Sequence, residues 1–112
     1  MDNKKDDIYY VEKIISDLSF LIKHTQDLTI EELETNEVLV DSIMFRLIQI
    51  SENSDRLTAE FKAGNASIPW RAVKGMRNRI VHEYGNVDMT VVFDTVKEDI
   101  PFLLEELKSI IE

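Results

Sequence analysis

The spacing of apolar residues constrains this chain most. Ile8, Val11, Ile14, Ile15, Leu18, Leu21 and Ile22 recur at intervals of three and four, the period of one helical face. The same period returns in Val40, Ile43, Met44, Leu47, Ile48 and Leu57. No stretch alternates with the period of two that a half-buried strand needs; the β-prone TVVF is embedded in helical spacing. The sequence has only three glycines and two prolines, and they punctuate these segments.

The resulting expectation is an all-α antiparallel helical bundle of four to five helices, one domain over residues 1–112. The first helix spans residues 5–24. Thr29 caps a short helix from Ile30, with Glu31 and Glu32 in its first turn. A long third helix runs from Glu37 to Ala63 and ends at Gly64 and Asn65. Pro69 opens a fourth that reaches Tyr84, where Gly85 and Asn86 supply the residue types of a left-handed cap. The last begins near Asp88 or Thr90 and is interrupted at Pro101, with Asp99 placed to cap its continuation.

Composition excludes several chemistries. With no cysteine there is no disulfide, thiolate nucleophile or cysteine zinc site. The start, MDNKKDDIYY, is too polar for a signal peptide, and no apolar run approaches membrane-spanning length, so a cytoplasmic protein without a membrane anchor is expected. The net charge of −9 opposes nucleic-acid binding over the whole surface. Its distribution is uneven. Residues 61–82 hold Lys62, Arg71, Lys74, Arg77 and Arg79 without one acid, while all 22 acids lie elsewhere. Such a basic island could focus an anion, or could be a chance cluster on a solvated face.

On a helical wheel of the fourth helix, Trp70, Val73, Met76, Ile80, Val81 and Tyr84 share a broad apolar arc, with Arg77 inside it. A guanidinium there must be paired, by an acid such as Glu52 or Asp41, snorkel to the rim, or line a wet cleft. Arg71, Lys74, Gly75, Asn78 and His82 form a second stripe; Ala72, Arg79 and Glu83 face away. Asn78, one turn before His82, is placed to hydrogen-bond that ring.

The order Arg77, polar Asn78, three residues, His82, one residue, Tyr84 resembles the catalytic motif of the HEPN superfamily, and its tyrosine extension resembles the HepT-like branch. The segment from Ile68 to Leu107 is similar to that branch almost throughout. Ile48 to Leu57, IQISENSDRL, resembles the preceding helix, with Ser51 and Asn53 standing where small residues are expected. Residues 1–40 match only in helical pattern.

The resemblance implies a metal-independent endoribonuclease without a cofactor, the toxin of a type II/VII-like toxin–antitoxin system, acting as a homodimer. It makes Arg77 and His82 catalytic across a two-fold cleft, with Asn78 supporting them, and Arg71, Lys74 and Arg79 as contacts to RNA phosphates. The partner it implies is a minimal nucleotidyltransferase antitoxin that transfers AMP to Tyr84. The alternative is a noncatalytic HEPN-like protein that binds nucleotide or scaffolds a partner. Net acidity favours that alternative; the joint presence of Arg77, Asn78, His82 and Tyr84 favours the enzyme.

Overall fold

The computed structural model describes residues 6–111, and all regular structure among them is helical. Residue 5, the expected start of the first helix, lies outside this range. In chain order the helices are α1 (Asp7–Thr25), α2 (Ile30–Glu34), α3 (Glu37–Asp55), α4 (Ala59–Gly64), α5 (Trp70–Glu83), α6 (Met89–Asp94) and α7 (Ile100–Ile111). A 3-10 turn, Tyr84–Asn86, follows α5, and a π turn, Thr95–Asp99, joins α6 to α7. No helix among the described residues is long and apolar enough to cross a membrane.

Local chemistry sets the boundaries. Asp6 caps α1 by accepting from the Tyr9 N–H. Thr29 and Glu32 form a reciprocal capping box on α2: the Thr29 N–H donates to Glu32 Oε1 at 2.9 Å, and the Glu32 N–H to Thr29 Oγ1 at 3.2 Å. Asp88 opens α6, accepting from the Thr90 N–H at 2.9 Å.

Three expectations are corrected. The third helix does not reach Ala63: it ends at Asp55, and Thr58 starts α4 by accepting from the Phe61 N–H. Asp7 of α1 draws the chain in at that break, taking both the N–H and the hydroxyl of Thr58 at 2.8 Å. A long-range capping contact thus wins over the continuing apolar period. Second, Gly85 is not a left-handed cap. No described residue has positive φ, and α5 tightens directly into the 3-10 turn.

Third, Pro101 does not interrupt the last helix, nor does Asp99 cap a new one. Proline lacks the N–H that would bond four residues back, and its ring crowds that carbonyl. The chain widens instead: the Ile100 N–H reaches Thr95 O, five residues back, and Pro101 sits in the first turn of α7.

The core is built from the stripes read in the sequence. Val11, Ile14, Leu18 and Leu21 of α1 meet Ile43, Met44, Leu47 and Ile50 of α3, all essentially without solvent exposure. Val73 and Ile80 of α5 close one side; Ile100, Leu103 and Leu107 of α7 close another. Helix α3 packs between α1 and α5, and α7 lies against α1. Arg46 of α3 pairs with buried Asp17 of α1 at 2.7 Å and stacks on Phe20, its guanidinium carbon 3.9 Å from the ring centre. Lys97 reaches from the π turn to the end of α1, donating to Thr25 O and Gln26 O, where a cation also complements the helix dipole. The result is an α1–α3–α5 layer from which one face of α5 is presented.

Candidate functional site

Only part of the expected apolar arc of α5 is buried. Val73 and Ile80 are sealed, and Trp70 and Met76 are half-buried. The Trp70 indole N–H is shared between Lys62 O and Asn65 O, fixing the start of α5 against α4. Val81 and Tyr84, expected on the same arc, are 44% and 46% exposed. The core stripe is narrower than the wheel suggested because α3 covers only the Val73–Ile80 line. That leaves Arg77 and Val81 at its edge.

Arg77 is satisfied by α3. Its Nε donates to Glu52 Oε1 at 3.0 Å, forming one of two ion pairs among the described residues, and its Nη1 lies 3.4 Å from Asn78 Oδ1. The sequence offered Glu52 or Asp41 as partner. The structure gives Glu52 to Arg77 and Asp41 to Tyr84, whose hydroxyl donates to Asp41 Oδ1 at 2.5 Å. That hydrogen bond to a carboxylate, with minor help from burial and from Asp41's charge, raises the Tyr84 pKa above its ordinary value. The two contacts run in opposite order along the helices, as an antiparallel pair requires.

Asn78 is not on the His82 ring. It accepts from Arg77, and no hydrogen bond joins Asn78 to His82 among the described residues. The Asn78 amide oxygen lies instead within reach of Arg77 Nη1, while Glu52 holds the Nε of that arginine. His82 is exposed in the last turn of α5, a favourable place for a cation.

The basic residues divide. Arg71 and Lys74 are exposed, and the wheel places both between Arg77 and His82 along with Val81 and Asn78. Arg79 is exposed as well but lines a small cavity toward α6, with Met76, Glu83 and Val91. It therefore lies on the opposite flank of α5 from the Arg77 side. None of Lys62, Arg71, Lys74 and Arg79 forms an ion pair among the described residues. No group of three or more His, Asp or Glu gathers there into a metal-binding set.

Sequence reasoning missed the role of Asp41 toward Tyr84 and the exposure of Phe45, at 57%. Phe45 lies one turn after Asp41 on α3 and lines an open groove toward α1 with Tyr9, Glu12 and Gln49, while exposed Val81 lies about one turn before Tyr84 on α5. The signal was present in the alternation of Asp41, Phe45 and Glu52 along one stripe of α3, but it could be interpreted only once α3 and α5 were known to be antiparallel neighbours.

The helical bundle and the ordered set Arg77, Asn78, His82 and Tyr84 define a protein of the HEPN superfamily, in an endoribonuclease class. The chain belongs to the HepT-like ribonuclease family: the family model described as ribonuclease HepT-like matches residues 14–110. Among curated proteins it is similar to one named "Putative RNase TTE0752" of Caldanaerobacter subterraneus subsp. tengcongensis, with 29% identity over 92% of each chain. It is also similar to "Probable ribonuclease HepT" of Thermococcus cleftensis, at 32% identity over 84% of this chain and 86% of that one. No solved structure matches it.

Proposed function

We propose that this chain is a toxin endoribonuclease that cleaves RNA without a metal, through Arg77 and His82 at the two-fold cleft of a homodimer in the cytoplasm. One observation carries the reading: in a chain of a ribonuclease family, Glu52 holds the Nε end of Arg77 and leaves guanidinium donors beyond those taken by Glu52 and Asn78, on the same helix that bears exposed His82.

The chemistry follows from the side chains. Attack of the RNA 2′-hydroxyl on the adjacent phosphorus needs a proton acceptor near neutral pH, and the departing 5′-oxygen needs a donor. Imidazole, with an ordinary pKa of about 6.5, suits either task. Charge accumulates on the phosphoryl oxygens in the transition state, and the planar Arg77 donors stabilise it there. Asn78 steadies the Arg77 end of the site, and Arg71 and Lys74 extend it along the phosphate backbone; Arg79, on the other flank, reaches RNA only from a different angle.

The dimer answers a geometric difficulty. Arg77 and His82 project about 140° apart on one helix. Val81 lies between them and is exposed, which supports a two-fold contact through this face. Across such an axis, Arg77 of one subunit would face His82 of the other.

Tyr84 is the proposed acceptor of AMP from a minimal nucleotidyltransferase antitoxin. Its side chain is exposed, with the hydroxyl held by Asp41, and a phosphodiester there would add charge and bulk next to the site. Expression without a partner should arrest growth, and His82→Ala should relieve the arrest while staying folded. Equal toxicity of a folded His82→Ala would remove this residue from the mechanism. After co-expression with the nucleotidyltransferase, intact mass should rise by adenylyl units, and not in Tyr84→Phe. Equal modification of that variant would move the acceptor elsewhere, Tyr9 or Tyr10 being the other tyrosines.

A further inference from the structure

Glu52 poses a problem for a phosphate-binding site. A carboxylate 3.0 Å from the arginine that must meet an anion repels that anion. It also sits in a turn of α3 where Ile50, Ser51, Asn53 and Ser54 are all buried, so its backbone is held in place by the core. Its side chain, 38% exposed, emerges onto the site face and takes Arg77 specifically; the other cations of the basic island are left unpaired among the described residues.

The contact geometry suggests what offsets the repulsion. Arginine has five N–H donors in a rigid plane. Glu52 takes the Nε–H, on the inner edge next to the stem, and Asn78 engages one Nη1 hydrogen. The rest of the outer edge is left to donate to a phosphate. An arginine on a flexible stem would have to lose that freedom in every turnover. A carboxylate at Nε has already fixed it, and small misplacements at a reacting group are costly, with about 1 Å amounting to some hundredfold in rate.

We infer that Glu52 is a positioning residue for RNA cleavage: it grips Arg77 through Nε and aims the outer guanidinium edge at the scissile phosphate. This rests on the reading of Arg77 as the residue that meets the reacting phosphate. Glu52 weakens ground-state attraction for RNA and strengthens alignment in the transition state, so its loss should appear in kcat rather than in KM.

The test uses the full chain and an end-labelled oligoribonucleotide that the wild type cleaves. Glu52→Ala should lower kcat by about tenfold to a hundredfold, with KM unchanged or lower. Glu52→Gln keeps an acceptor oxygen at the same reach and should restore most of the rate. Glu52→Asp keeps the charge but withdraws it by one methylene, and should stay impaired. In an Arg77→Ala background, Glu52→Ala should cost nothing further, because its effect passes through Arg77.

Full kcat in the Ala and Asp variants would overturn the proposal. So would an additive loss in the double variant, the sign of a purely structural role. The Gln and Asp variants decide the matter if the Ala variant does not fold: equal activity in those two also overturns it. Wild-type cleavage by Arg77→Ala would overturn the reading of Arg77 itself, and the proposal with it. An inactive Arg77→Ala beside fully active Glu52 variants would overturn the positioning role alone.

Discussion

The Tyr84 phenol donates a 2.5 Å hydrogen bond to Asp41, tying the end of α5 to the beginning of α3. The donor is neutral and the acceptor charged, so the bond favours the protonated phenol and raises its pKa. Both residues are exposed, so solvent screens the bond and its contribution to stability is small.

One expected outcome is spectroscopic. Tyrosinate absorbance should show one of the three tyrosines titrating late, and Asp41→Asn should bring it back toward the ordinary value near 10. The sign follows from proton linkage. A folded-state pKa above the unfolded one means the contribution is complete below the unfolded value and is lost as pH rises through the folded one. Wild type and Asp41→Asn should therefore differ most near neutrality and converge in strong alkali. Identical titrations would mean that the bond does not persist in solution.

His82→Ala should separate catalysis from folding. Removal of an exposed side chain changes stability by no more than about 0.5 kcal/mol. Loss of a general acid or base costs about 10²–10⁴ in rate. Denaturant melts alongside single-turnover RNA cleavage measure both. A rate within roughly threefold of wild type would rule out proton transfer by His82.

How much of this was legible in the sequence differs by element. Thr29 and Asp88 announced their helices, since a cap needs only its own neighbours along the chain. The break at Arg56–Thr58 did not show, because Asp7 causes it from fifty-one residues away. Arg77 stood out as a charge in an apolar arc, where an acid partner was one solution beside snorkelling and a wet cleft. Which acid it was did not follow. Glu52 and Asp41 were equally plausible until the offset of α3 against α5 assigned one to Arg77 and the other to Tyr84. Asn78 was read as a neighbour of His82 on the basis of helical spacing alone, and a side chain bending sideways along the helix is invisible to that spacing.

The exposure of Val81 leads to a prediction about assembly. Val81→Asp should shift the proposed dimer to monomer at micromolar concentration and abolish cleavage, with the helical signal intact. Light scattering with a parallel activity assay checks this. A variant that is monomeric and fully active would contradict a composite site.

Cleavage should persist in excess chelator. The carboxylates near the site are already engaged, Glu52 by Arg77 and Asp41 by Tyr84, and no group of three or more His, Asp or Glu that could hold a metal gathers among the described residues, whereas hard divalent ions favour several oxygen ligands. Activity lost in EDTA and recovered with magnesium would assign the chemistry to a metal instead.

The π turn before Pro101 has a consequence for the rest of the chain. One surplus residue in a helix advances everything after it by about 100° of phase. Leu103, Leu104 and Leu107 are buried after that advance, with α7 against α1. Deleting any single residue between Thr95 and Asp99 would leave a straighter, more regular helix, yet would rotate its greasy side toward water. Alanine replacements there should be mild by comparison. At this point in the chain the number of residues is under tighter constraint than their identity.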